Sequence, residues 1–234
     1  MYKAKAVVIF MLVALMIIPA IAKKTKTAEC KDNVLTDLKL NFTIDVPKNW
    51  KTKTFKEKPE KPAVMRALLM QKNYRINHDA KELDGEFTIP EIQIYAIPAT
   101  ITAEEFMDKL QSDIVSHSSK DDIINNMNLI LAGEFVGKQK FEVAGNKGML
   151  ALFKRPWERH MQAEQDDPRY RAYGGRIVKD IHDVHEVYAV VHDGYLYVIN
   201  ALAENEFYQS VRDEFALIIK TIKFPESGES ANIE

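Results

Sequence analysis

The stretch His185-Glu186-Val187-Tyr188-Ala189-Val190-Val191-His192, then Asp193-Gly194, then Tyr195-Leu196-Tyr197-Val198-Ile199-Asn200-Ala201-Leu202, decides the fold. An Asp-Gly pair between two apolar runs suits a two-residue type I′ turn, whose central residues need positive φ. Such a turn pairs His192 with Tyr195, Val190 with Tyr197 and Tyr188 with Ile199. Successive side chains on a strand point to opposite faces. Val187, Ala189, Val191, Leu196 and Val198 therefore share one smooth apolar face, and Tyr188, Val190, Tyr195, Tyr197 and Ile199 share an aromatic one. A hairpin apolar on both faces belongs at the centre of a sheet covered on both sides.

Two amphipathic segments supply the cover. After the hairpin, Asn205 can cap a helix whose Phe207, Val211, Phe215, Ile218 and Ile222 fall on one stripe. Upstream, Thr102 and Glu105 form a capping box, with Ile101 and Phe106 at the positions of a hydrophobic staple. Phe106, Leu110 and Ile114 then recur every four residues. The helix should fade near Ser116.

Other segments read as strands: Leu38 to Val46 by faultless alternation, Trp50 through Phe55, Val64 to Gln71, Pro90 to Ala96, Leu129 to Lys140 and Gly148 to Arg155. The last two join across Ala144–Lys147, and a short strand at Thr221 to Phe224 ends before Pro225. Short connections make the sheet mainly antiparallel and the class α+β, an αβα sandwich with helices on its faces. Residues 156–180 interrupt the pattern with five basic and five acidic residues, two prolines and Gly174-Gly175, and read as a long loop insertion. The expected organisation is a signal peptide over 1–22, a polar tail over 23–37, one domain over 38–224 and a frayed tail over 225–234.

The 234 residues are 46% apolar and 28% charged, which excludes a wholly disordered or collagen-like chain. A lone cysteine excludes a disulfide framework. With 32 basic against 34 acidic side chains there is no basic signature of a nucleic-acid binder. Lys3 and Lys5 precede an apolar run from Ala6 to Ala22 that ends Ala20-Ile21-Ala22, the small-x-small pattern of a cleaved export signal. The expected address is periplasmic or secreted. An uncleaved anchor over residues 6–22 is the alternative: 17 residues make a helix of about 26 Å, short of a hydrocarbon core of about 30 Å. Cys30 is preceded by Glu29 and lies seven residues beyond Ala22, which argues against a lipid anchor and leaves a tail thiol.

Phe42, Pro47 and Trp50, the hairpin ending Gly194-Tyr195-Leu196-Tyr197-Val198, and a last helix with Phe207 and Phe215 running into Thr221-Ile222-Lys223-Phe224 give the chain a family likeness. Over residues 38–224 it resembles the PsbP-like domains, a fold shared with a Ran-binding nuclear import factor and exported bacterial proteins. The resemblance implies a non-enzymatic binding or stabilising module, and it carries no catalytic motif across.

The chemistry read directly from the residues is sparse. His182-Asp183-x-His185-Glu186 is the densest titratable cluster, but on a strand His182 and His185 face opposite ways. His182 and Glu186 share a face about 13 Å apart, too far to ligate one ion. Glu158, His160, Glu164, Asp166 and Asp167 are ligand types without a recognised spacing, and Asp121-Asp122 with Asn125 and Asn126 lacks the glycine of a calcium loop. No nucleophile elbow or phosphate loop occurs. Asn41-Phe42-Thr43 matches a glycosylation acceptor but lies within an expected strand.

No cofactor is expected, and no catalytic or metal residue is assigned. The candidate partner contacts are Trp157, Arg159, Arg169, Tyr170, Arg171 and Tyr173, because Arg, Tyr and Trp concentrate binding energy at interfaces. The expected function is an exported module that binds or stabilises an envelope partner. The alternatives are a hydrolase or metal-dependent enzyme with its site under loop 156–180, and a membrane-anchored structural envelope protein. Lys48, Lys51, Lys53, Lys56, Lys58 and Lys61 against Glu57 and Glu60 make either a solvated hairpin or a contact for an anionic membrane surface.

Overall fold

Asp193 and Gly194 take φ of 45° and 74°, the left-handed backbone that a type I′ turn needs. In the computed structural model they join two strands in the expected register, His192 opposite Tyr195, Val190 opposite Tyr197 and Tyr188 opposite Ile199. The structure describes residues 24–58, 61–72, 88–116, 124, 133–162 and 176–226. In chain order these form β1 (Thr25–Lys26), β2 (Ala28–Lys31), β3 (Val34–Asp37), β4 (Thr43–Asp45), β5 (Trp50–Thr54), β6 (Lys56–Glu57), β7 (Met65–Gln71) and β8 (Glu91–Pro98). Then follow α1 (Ala103–Ser116), β9 (Glu134–Val143), β10 (Asn146–Gln162), β11 (Arg176–His192), β12 (Tyr195–Glu204) and α2 (Asn205–Lys220).

The main sheet has the order β5-β7-β8-β12-β11-β10-β9, and every neighbouring pair is antiparallel. The β11–β12 hairpin lies at its centre. Val187, Ala189, Leu196 and Val198 pack under α1, with Phe106, Met107 and Leu110. Tyr188, Val190, Tyr197, Ile199 and Ala201 pack on the other face, with Val211, Phe215, Ile218 and Ile219 of α2. The molecule is therefore α+β with the sheet between its helices. The Ile114 side chain lies outside the described set.

Helix α1 starts as its capping box requires. The Glu105 N–H donates to Thr102 Oγ1 at 3.1 Å, and the Thr102 N–H donates to Glu105 Oε2 at 2.8 Å. Ile101 packs against the core that holds Phe106. Helix α2 departs from expectation. Glu204, not Asn205, is the N-cap residue, with extended backbone and no side-chain cap bond, because β12 runs straight to it and Asn205 is already helical. Tyr208 is buried while Phe207 is only half-buried.

The first described residues are not a polar tail. Strands β2, β3 and β4 form a small sheet, β1 pairs with β6, and Thr27, Ala28, Leu35 and Asp37 are wholly buried. Burial of the polar members depends on Arg66, a partner too distant in sequence for local pattern to show. Cys30 is a free, exposed thiol on β2 rather than in a tail.

The alternation from Leu38 to Val46 yields a strand only over Thr43–Asp45, although Phe42, Ile44 and Val46 do point inward. Asp37 Oδ1 accepts from the N–H groups of Lys39 and Leu40 at 2.9 and 2.7 Å, and Asn41 has a φ of 54°. This turn leaves Leu38 47% exposed. At the other end, the expected strand over Thr221 to Phe224 is a single bridge of Lys223 with Thr43, since Thr221 still caps α2. Residues 129–132 and 227–234 lie outside the described residues.

Candidate functional site

Residues 156–162 and 176–180 are strand, which corrects the expected loop over 156–180. β10 and β11 stay paired from Gly148 with Val190 out to Gln162 with Arg176. β9 leaves β10 at Lys154, and β12 leaves β11 at Asp183. The seven pairs from Pro156–His182 to Gln162–Arg176 thus form a two-stranded arm with no third strand among the described residues. Alternation survives into the arm: Ile181 is buried and Trp157 half-buried on one face, while Pro156, Glu158, Asp180 and His182 are exposed.

Trp157 and Arg159 stand on this arm, though only the Trp157 side chain is described. Arg169, Tyr170, Arg171 and Tyr173 lie outside the described residues, as do Glu164, Asp166, Asp167, Asp121, Asp122, Asn125 and Asn126. Glu158 is exposed on β10, and His160 shares that strand. Among the described residues no group of three His, Cys, Asp or Glu could hold a metal ion.

The cluster over residues 182–186 is divided by the sheet, as its strand parity requires. On the α1 side, His185 Nδ1 lies 3.1 Å from Asn200 Oδ1. Asn200 Nδ2 donates to Gln93 Oε1 at 2.9 Å, and the Tyr95 hydroxyl donates to the same oxygen at 2.8 Å. The Gln93 amide in turn donates to Glu91 at 2.5 Å. This polar chain crosses β11, β12 and β8. Burial drives the His185 pKa down to about 4, with Arg155 adding to the shift, so the ring is neutral near pH 7. Burial also raises Glu91, and the nearby Asp183 charge adds to that.

On the α2 side, Glu186 is 5% exposed and accepts from Tyr188 at 2.5 Å and from the Tyr208 hydroxyl. Burial, then the Glu186 charge, holds both phenols protonated well above their ordinary range. Arg212 Nε stands 3.7 Å away at the surface. Glu186, Tyr208 and Arg212 border a cavity of about 260 Å³ whose other wall includes Val136, Leu150 and Leu152. The pattern that marked Glu186 could not bring Tyr208 and Arg212 to it, because they belong to another element. The Glu186 carboxylate, the Tyr208 hydroxyl and the Arg212 guanidinium thus put hydrogen-bonding and charged groups at the border of one cavity.

No family model matches the chain, and no curated protein matches it. Solved structures similar to it include cyanobacterial PsbP (CyanoP) from Synechocystis sp. PCC 6803, at 12% identity and a TM-score of 0.39, covering 88% of this chain and 95% of that one. Another is LpqN, described as involved in cell envelope biogenesis of Mycobacterium tuberculosis, at 11% identity and a TM-score of 0.38, covering 87% and 92%. A PsbP structure is thus among those similar to this chain.

Proposed function

We propose that this chain is an exported, non-enzymatic module that binds or stabilises a partner in the cell envelope, and that the β10–β11 arm makes the contact. The arm carries the reading. Seven residue pairs at about 3.3 Å each extend roughly 20 Å beyond the neighbouring strands, and unpaired strand edges are templates for another chain. Export rests on Lys3, Lys5, the apolar run to Ala22 and its small-x-small end. No helix of the described residues is long and apolar enough to cross a membrane.

The test places a photo-crosslinking residue at Glu158 or Asp180, both exposed on the arm, in exporting cells. The control position is Leu217, 65% exposed on α2. One envelope protein captured from both arm positions and not from 217 supports the reading. Adducts that are the same at all three positions, or absent from the arm, refute it.

A further inference from the structure

The strand pairing of the first described residues gathers a cationic patch that the linear sequence divides. Lys26 on β1 lies directly opposite Lys56 on β6, and Thr25 lies opposite Glu57. Lys24 precedes this pair, while Lys58 and Lys61 follow it and are bridged to each other. All five lysines are exposed. The acid between them does not offset them at the surface. Glu57 is 8% exposed and turned inward, where Arg66 Nη1 donates to its Oε2 at 2.5 Å and the Ala63 N–H at 3.0 Å. Glu60 lies outside the described residues, and Glu29, on β2, is exposed. Like charges directly opposed across a strand pair destabilise it, and an anionic surface relieves that repulsion.

The position of the patch names the surface. Thr25, the first paired residue, stands three residues along the chain from Ala22, the end of the apolar run, with Lys23 and Lys24 between them. At about 3.5 Å per residue that is at most about 10 Å, comparable to the Debye length of about 8 Å at physiological salt. A membrane that still holds residues 6–22 once β1 and β6 have paired therefore has its headgroups within electrostatic reach of these lysines. We propose that Lys24, Lys26, Lys56, Lys58 and Lys61 form a docking surface for anionic phospholipid headgroups, a contact independent of the arm.

The test uses the exported chain with whichever N-terminus it carries, mixed with vesicles of phosphatidylcholine alone or blended with phosphatidylglycerol. The readout is the phosphatidylglycerol-dependent part of vesicle association, so an apolar segment retained at the N-terminus cancels. Each lysine near an anionic surface contributes about fivefold in affinity. Lys26→Glu with Lys56→Glu should therefore weaken the association at least about 25-fold. Lys140→Glu with Lys147→Glu makes the same charge change at exposed positions on β9 and β10 and should leave it within about twofold. Lys26→Gln with Lys56→Gln provides a milder pair should charge reversal impair folding, with a loss of the same sign. Equal losses from both charge-reversed pairs, no preference for phosphatidylglycerol, or displacement from the vesicles by short RNA at lower phosphate concentration would each overturn the proposal.

Discussion

Arg66 Nε donates to Asp37 Oδ2 at 2.8 Å with both side chains out of water, at 2% and 0% exposure. Arg66 also reaches Glu57, the Thr27 carbonyl and the Ala63 carbonyl. One guanidinium on β7 thereby ties three separate pieces of the first forty described residues to the main sheet. Removing one partner from such a group leaves an uncompensated buried charge.

Arg66→Ala should lose about 3–5 kcal/mol of stability, measured by chemical denaturation. Replacing all three charges, with Arg66→Met, Asp37→Leu and Glu57→Leu, should lose less than the single change. A triple variant weaker than Arg66→Ala would show that the ions, not the burial of the segment, provide the stability. The pH dependence has a definite sign. Burial alone would raise Glu57, but hydrogen bonds from Arg66 and the Ala63 N–H outweigh it and hold the carboxyl below its ordinary 4.5. Its contribution is complete above that value and is lost as pH falls through the lower folded value, so Glu57→Gln should flatten the acid limb of the stability profile.

The Arg66 contacts also show where sequence reading stops. The central hairpin, its register, both of its faces and the start of α1 were legible, because each depends on residues within a few positions of one another. The inward role of residues 27–37 was not, since Thr27 and Asp37 become buried only through an arginine 39 and 29 positions away. The arm was misread for a related reason. Pro156 and the mixed charges obscure an alternation that the cross-strand ladder sustains, and a proline is tolerated where no third strand needs its N–H. Of the contact residues, the alternation places Trp157 on the half-buried face of the arm. The Glu186 site was legible only as a carboxylate on a strand, because its phenol and guanidinium partners come from α2.

Gly148 sets how closely β10 approaches β11. A Cβ there would collide with the carbonyl oxygen of Ala189, part of the backbone and unable to move aside. A Cβ at Gly137 on β9 would instead enter open space. Gly148→Ala should lower the melting temperature and loosen amide protection along β10 and β11, whereas Gly137→Ala should leave both nearly unchanged. Equal effects at the two sites would remove close approach as the reason for glycine at 148.

His185 should stay neutral through the range where ordinary histidines charge. Its folded pKa of about 4 lies below its unfolded value of 6.5. Between the two, the unfolded chain holds a proton that the folded chain lacks, so stability falls as pH falls, by about 1.4 kcal/mol per pH unit. NMR titration of the ring should show no change above about pH 5, and His185→Gln should remove that slope. A ring that titrates near 6.5 would mean that the Asn200 contact opens to water.

Signal cleavage and folding should compete for the same few residues. A peptidase acting after Ala22 needs an extended chain across its active site, yet Thr25 already pairs with Glu57 and the Thr27 N–H donates to the Phe55 carbonyl at 2.8 Å. Cleavage before this pairing forms gives an exported chain whose intact mass begins at Lys23, and Ala22→Leu should leave the precursor uncut and membrane-retained. Arg66→Ala, which frees the segment over residues 27–37, should be processed at least as fast as the wild type in a pulse-chase experiment. Slower processing of that variant would mean that the paired segment helps the peptidase rather than hiding the bond from it.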